Sequence, residues 1–167
     1  IIFSQSHDLS MDIQKDIKEN ISSGDQEMWK EESRKQWNNI ACGELNGNKE
    51  TLKYFLDVEK NRYQVYAPWM ESFFQYSQYE GKSVLEIGFG QGTDLCQFAK
   101  SGAICSGIDI TESHLDLATK NFQLRNLKAN LFLEDAGNLH FEDNSFDLVY
   151  SFGVLHHTPD TIRCISE

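Results

Sequence analysis

Val84-Leu85-Glu86-Ile87-Gly88-Phe89-Gly90-Gln91-Gly92 is an apolar run that passes into three glycines at alternate positions. An acid, Asp109, follows at the end of the next apolar run, Ala103-Ile104-Cys105-Ser106-Gly107-Ile108-Asp109, 21 residues beyond Gly88. The pattern predicts a strand, a glycine loop, a helix and a second strand tipped by a carboxylate that can accept from a ribose diol. Glycine has a physical reason to stand there: a ligand lies directly on main chain only where no Cβ intervenes and positive φ is cheap. The turn then feeds a helix expected over residues 91–100, whose free N-terminal N–H groups face the ligand. The chemistry implied is a nucleoside-containing cofactor held against bare backbone.

Spacing separates two cofactors. The dinucleotide pattern G-x-G-x-x-G would put its third glycine at position 93. That position is Thr93, and the third glycine falls early, at Gly92. With Glu86 two residues before Gly88, the stretch E-x-G-x-G-x-G resembles motif I of the Rossmann-like S-adenosylmethionine (SAM) methyltransferases. Gly107-Ile108-Asp109-Ile110-Thr111 is similar to their second motif and Glu134-Asp135-Ala136 to their third. Phe146-Asp147-Leu148-Val149-Tyr150-Ser151-Phe152-Gly153-Val154-Leu155-His156-His157 resembles their fourth strand and its loop. The likeness covers residues 81–160 and falls nearest the type 11, small-molecule branch. Four ordered motifs are far more specific than one glycine loop.

The resemblance implies SAM as cofactor, S-adenosylhomocysteine as product and in-line methyl transfer to a small-molecule acceptor. It places Gly88, Phe89, Gly90 and Gly92 against the methionine and ribose parts of the cofactor, and Glu86 near its amino end. It gives Asp109 the ribose hydroxyls, Ile110 one face of the adenine, and Asp135 and Ala136 the adenine edge. Ser151 and Phe152 face the cofactor from the fourth-strand loop, although Phe152 also suits a core. His156 is the candidate substrate-facing or base residue, with a loop-buttressing histidine as the plainer alternative. The glycine constellation already explains the site, and adjacent histidines point in different directions, so no metal is expected. A nicotinamide oxidoreductase and a non-catalytic SAM-binding module are the competing functions.

Outward from the glycine loop, residues 81–167 alternate strand and helix, which predicts an α/β fold with a parallel sheet. Strands are expected at 83–88, 104–109, 130–134 and 146–151, and helices at 91–100, 113–125 and from Thr158, with Thr158 as N-cap and Pro159 at the first helical position. The family's Rossmann-like sheet has order 3-2-1-4-5-7-6. Here only the 3-2-1-4 half is expected, so the C-terminus reads as incomplete. An uncovered edge on the fourth strand is an association hazard, hence an expected homodimer. Residues 1–80 read as a helical cap or lid. Ile13, Ile17 and Ile21 form one stripe, Ser22-Ser23-Gly24 breaks it, and a second helix runs from Asp25, as N-cap, to Ile40. A third segment spans 50–66; Pro68 then opens a helix with Trp69, Phe73 and Tyr76 on one face. Aromatic stripes at this spacing suit a core; Tyr63, Tyr66 and Trp69 are the lid candidates.

Composition narrows the rest. The 167 residues carry 40% hydrophobic and 25% charged side chains, ordinary for one globular domain. A net charge of −11, with no cluster of Lys and Arg, argues against nucleic acid as substrate. Cys42, Cys96, Cys105 and Cys164 form no C-x-x-C pair, which fits reduced thiols and a cytoplasmic location. No apolar run is long enough to span a membrane. The chain opens on Ile1 rather than Met, which carries the expectation of a cut N-terminus.

Overall fold

The computed structural model describes residues 23–167; the predicted helix of Ile13, Ile17 and Ile21 lies outside them. Four parallel strands, β1 (Ser83–Ile87), β2 (Ile104–Asp109), β3 (Asn130–Leu133) and β4 (Leu148–Ser151), form one sheet in the order β3-β2-β1-β4. Each strand lies on the apolar run that predicts it. The register sets Ile87 between Ile108 of β2 and Ser151 of β4, so three strand ends finish level.

Side chains alternate across a strand, and the alternation on β1 builds two cores. Val84 packs with Met70, Phe74, Leu95, Phe98 and Tyr150 on one face. Leu85 and Ile87 join Ile108, Ala136, Leu155 and Cys164 on the other. Glu86 shares the Val84 face, which decides its surroundings.

The helices are α1 (Ser23–Asn39), α2 (Leu52–Asn61), α3 (Met70–Phe74), α4 (Thr93–Lys100), α5 (Glu112–Leu124) and α6 (Thr161–Ser166). Helix α1 is described from Ser23, and Gly24 and Asp25 lie inside it, so Asp25 does not cap it. The segment predicted over 50–66 is two elements. Thr51 caps α2, its hydroxyl accepting from Tyr54 N at 3.3 Å, and a π-turn over Arg62–Tyr66 follows. Pro68 precedes α3 by two residues instead of opening it. That helix ends at Gln75, whose φ of 46° swings the chain away. Tyr76 is therefore buried, while Trp69 and Phe73 stay exposed on a face it does not share.

The last helix also starts later than expected. Asp160 is its N-cap, accepting from Arg163 N at 2.9 Å. Thr158 has other work: its hydroxyl donates to Leu155 O at 2.6 Å and closes the short turn Leu155–His157. No helix among the described residues is long and apolar enough to cross a membrane.

Candidate functional site

The level ends of β1, β2 and β4 open into a cleft. Gly88 and Gly90 form its floor with Asp109 and Ile110; Asp135 and Ala136 close one end. Phe152, Gly153 and Val154, from the loop after β4, form the opposite wall. Seven of the residues predicted for the cofactor thus meet in one cavity: Gly88, Gly90, Asp109, Ile110, Asp135, Ala136 and Phe152.

The glycine loop needs its glycines. Gly88 has φ +74°, and a Cβ there would collide with the Val154 side chain, 2.6 Å from Cγ1. Gly90 has φ +53°, and a Cβ on it would meet nothing within 4 Å, because the space beside it is the cleft. Gly90 N donates instead to Asp109 Oδ2 at 2.9 Å, tying the loop to the end of β2. Asp109 Oδ1 accepts from Thr111 N at 3.0 Å, and Oδ2 lies 3.1 Å from His114 Nδ1. Asp135 is bound by Lys30 Nζ at 2.5 Å and by Gly137 N at 2.9 Å. Burial opposes its ionisation, but the Lys30 and Gly137 hydrogen bonds outweigh burial and hold its carboxyl below the usual range.

Five predicted residues lie outside the cleft wall. Gly92, at φ +71°, faces α5: a Cβ there would sit 3.2 Å from Ala118 and from Phe122, so the glycine serves close helix packing. Phe89, in the loop after β1, is buried against β2, its ring at the Cβ position of Gly107. Ser151 donates to Ile87 O at 3.1 Å, joining β4 to β1. His156 is exposed and packs on His157, 3.9 Å between ring centroids; His157 is the histidine in the cleft wall. Partial burial and the charge of His156 push the His157 pKa down.

Glu86 is the fifth. It is buried on the Val84 face of β1, beside the first turn of α4, with Oε2 lacking any partner. Burial, and then the Asp94 charge, push its pKa well above the carboxylate range. Asp94 itself collects four hydrogen bonds: from Arg62 Nε and Nη2 at 3.1 and 2.6 Å, Tyr63 at 2.7 Å and Tyr150 at 2.8 Å. The Arg62 guanidinium also lies over the Phe152 ring, 4.3 Å from its centroid. An acid in the first turn of a predicted helix was the only sign of this network in the sequence.

The three lid candidates do not line the cleft. Tyr63 is tied to Asp94, and Tyr66 and Trp69 pack on Phe152 outside the cleft wall. Helix α1 lines the cleft, through Lys30, Ser33 and Trp37. Trp37 meets the His157 ring edge-on at 5.4 Å, Trp29 Nε1 donates to His157 O at 3.0 Å, and Asn38 Oδ1 accepts from Ser113 N at 3.1 Å. Among the described residues, no three His, Cys, Asp or Glu side chains are grouped to hold a metal ion.

A parallel sheet in this order, with a glycine loop and an acid at adjacent strand ends, defines a Rossmann-like α/β fold for a nucleoside cofactor. The family described as "Methyltransferase domain" matches residues 84–167, half of the chain, and the chain belongs to it. It is 35% identical over 86 residues to a ubiquinone biosynthesis O-methyltransferase of Coxiella burnetii, covering 52% of this chain and 37% of that protein. It is 34% identical over 88 residues to phosphoethanolamine N-methyltransferase 2 of Caenorhabditis elegans, covering 52% of this chain and 20% of that one. These matches take in well under half of either relative. Among solved structures, magnesium protoporphyrin IX methyltransferase from Synechocystis with bound SAM shares the fold, with a TM-score of 0.59 at 20% identity, over 83% of this chain and 69% of that chain.

Proposed function

We propose that the cleft binds SAM and that the chain is the cofactor-binding part of an enzyme that methylates a small-molecule acceptor. One observation carries this: a glycine backbone, a ribose-suited carboxylate and an adenine-suited acid meet in a single cavity in the order a nucleoside requires. The fit extends to orphaned groups. Thr111 Oγ1 and His114 Nε2 are buried without partners in residues of the cleft wall, and Glu86 Oε2 is buried without one beside it.

Each residue then has a task. Asp109 takes a ribose hydroxyl, Ile110 one adenine face, and Asp135 with Ala136 the adenine edge. Gly88 and Gly90 admit the sugar and the methionine chain against backbone. When bound, the cofactor supplies a sulfonium methyl, already activated for in-line displacement by an O, N, C or S nucleophile. The protein's part is alignment and exclusion of water, to which α1 contributes by lining the cavity. His157 and Phe152 are the acceptor-side candidates, replacing His156. Two of the named relatives methylate O and N; the acceptor here is proposed only as a small molecule. Four free cysteines, three of them buried, favour a reducing compartment such as the cytoplasm. Association through the edge of β4 that no described strand covers is the further proposal for assembly.

Calorimetric titration with S-adenosylhomocysteine tests the cofactor reading. Saturable binding that is lost in Asp109→Ala, with NADH silent, is the expected result. Binding of NADH in its place would establish the nicotinamide alternative. Binding without methyl turnover on any acceptor would leave the chain a SAM-binding module.

A further inference from the structure

Asp109 cannot satisfy a ribose by itself. An ionised carboxylate offers roughly four acceptor positions. Three are taken inside the chain, by Gly90 N, Thr111 N and His114 Nδ1. About one remains, and a ribose presents two hydroxyls.

His114 stands beside it. It lies in the first turn of α5, 5% exposed, in the wall of the same cleft. Its Nδ1 faces a carboxylate that can only accept, so Nδ1 carries a proton, and on the neutral ring Nε2 is then the acceptor. That Nε2 is buried with no hydrogen-bond partner. A buried acceptor left unmade is costly, and a ligand hydroxyl removes the cost. We infer that His114 is a second ribose-binding residue: Nδ1–H fixes Asp109, and Nε2 accepts from the hydroxyl that Asp109 has no room for. The ligand class is a nucleoside with an intact vicinal diol, and the pair selects ribose over deoxyribose. This rests on the reading of the cleft as a SAM site.

The test uses S-adenosylhomocysteine and its 2′-deoxy and 3′-deoxy analogues, titrated into the wild type, His114→Asn and His114→Gln. The asparagine amide retains a donor near the Nδ1 position and lacks the Nε2 acceptor; the glutamine oxygen reaches the Nε2 position. Loss of one hydrogen bond predicts that His114→Asn binds S-adenosylhomocysteine about tenfold more weakly. The variant binds one deoxy analogue as the wild type does, so discrimination against that analogue disappears. His114→Gln restores part of it. An equal loss for all three ligands would make the ring purely structural and overturn the inference. So would wild-type affinity in His114→Asn, and if Asp109→Ala abolished binding in the same series, the cofactor reading would stand without this refinement. A folded wild type that binds none of the three would overturn both.

Discussion

Glu86 occupies the worst place on β1 for a charge. Its strand buries it on the face of Val84, and Asp94 adds a second negative group nearby, so the neutral carboxyl is favoured. The consequence for stability has a definite sign. The folded chain holds this proton more tightly than the unfolded chain, so the contribution is fully present below the ordinary carboxylate pKa. It is lost as pH rises from there to the raised folded value. Glu86→Gln is neutral throughout and lacks that loss. The difference in Tm between Glu86→Gln and wild type is therefore expected to be more positive at pH 8 than at pH 4, by thermal denaturation followed at both. A difference independent of pH would mean that Glu86 ionises in the fold as it does in water. At this scale the sequence was readable where strand spacing sets a residue's position. Gly88, Gly90, Asp109 and Asp135 stand at strand ends, and strand ends can be counted. His114 and Lys30 reach the same cleft from helices, and only tertiary packing says which face of a helix meets a loop.

Asp94 acts between elements. It sits in the first turn of α4, where an acid complements the free N–H groups. It receives Arg62 and Tyr63 from the π-turn after α2 and Tyr150 from β4. Three segments separated in sequence are held at one buried carboxylate, 6% exposed, against a guanidinium 15% exposed. Removing one partner of such a pair leaves the other charge buried, so Asp94→Ala is expected to cost about 3–5 kcal/mol. Tyr150→Phe removes a single bond to a charged group and is expected to cost about 1.5–3 kcal/mol. Urea unfolding of the two variants orders them; equal small losses would show that water already shields the pair. Helix positions were legible where an apolar pattern is local, but most of their caps were not. Helix α5 falls close to its apolar pattern. Thr158-Pro159 misleads because the Thr158 hydroxyl is claimed by Leu155 O, leaving Asp160 to cap α6.

The topology of the whole molecule follows from handedness. Crossovers through α4 and α5 carry the chain from β1 to β2 to β3 in one direction, and the chain then returns to the other side of β1 to lay down β4. The cleft opens at that reversal, where adjacent loops diverge, and the glycine loop after β1 and Asp109 at the end of β2 stand beside it. The helices before residue 80 are less separate than their pattern reads: Met70, Phe74 and Tyr76 share one core with Val84 and Phe98. The reversal also leaves β4 with β1 as its strand partner and, among the described residues, no strand on its other side. Val149 is 38% exposed there, and the strand carries no charged residue to blunt its edge. An edge of this kind pairs with another copy unless it is charged or covered. Light scattering on this chain is expected to show a dimer that forms as concentration rises, and Val149→Lys is expected to return it to a monomer with the fold retained by circular dichroism. A monodisperse monomer at every concentration would mean that the edge is protected, and the pairing would be withdrawn.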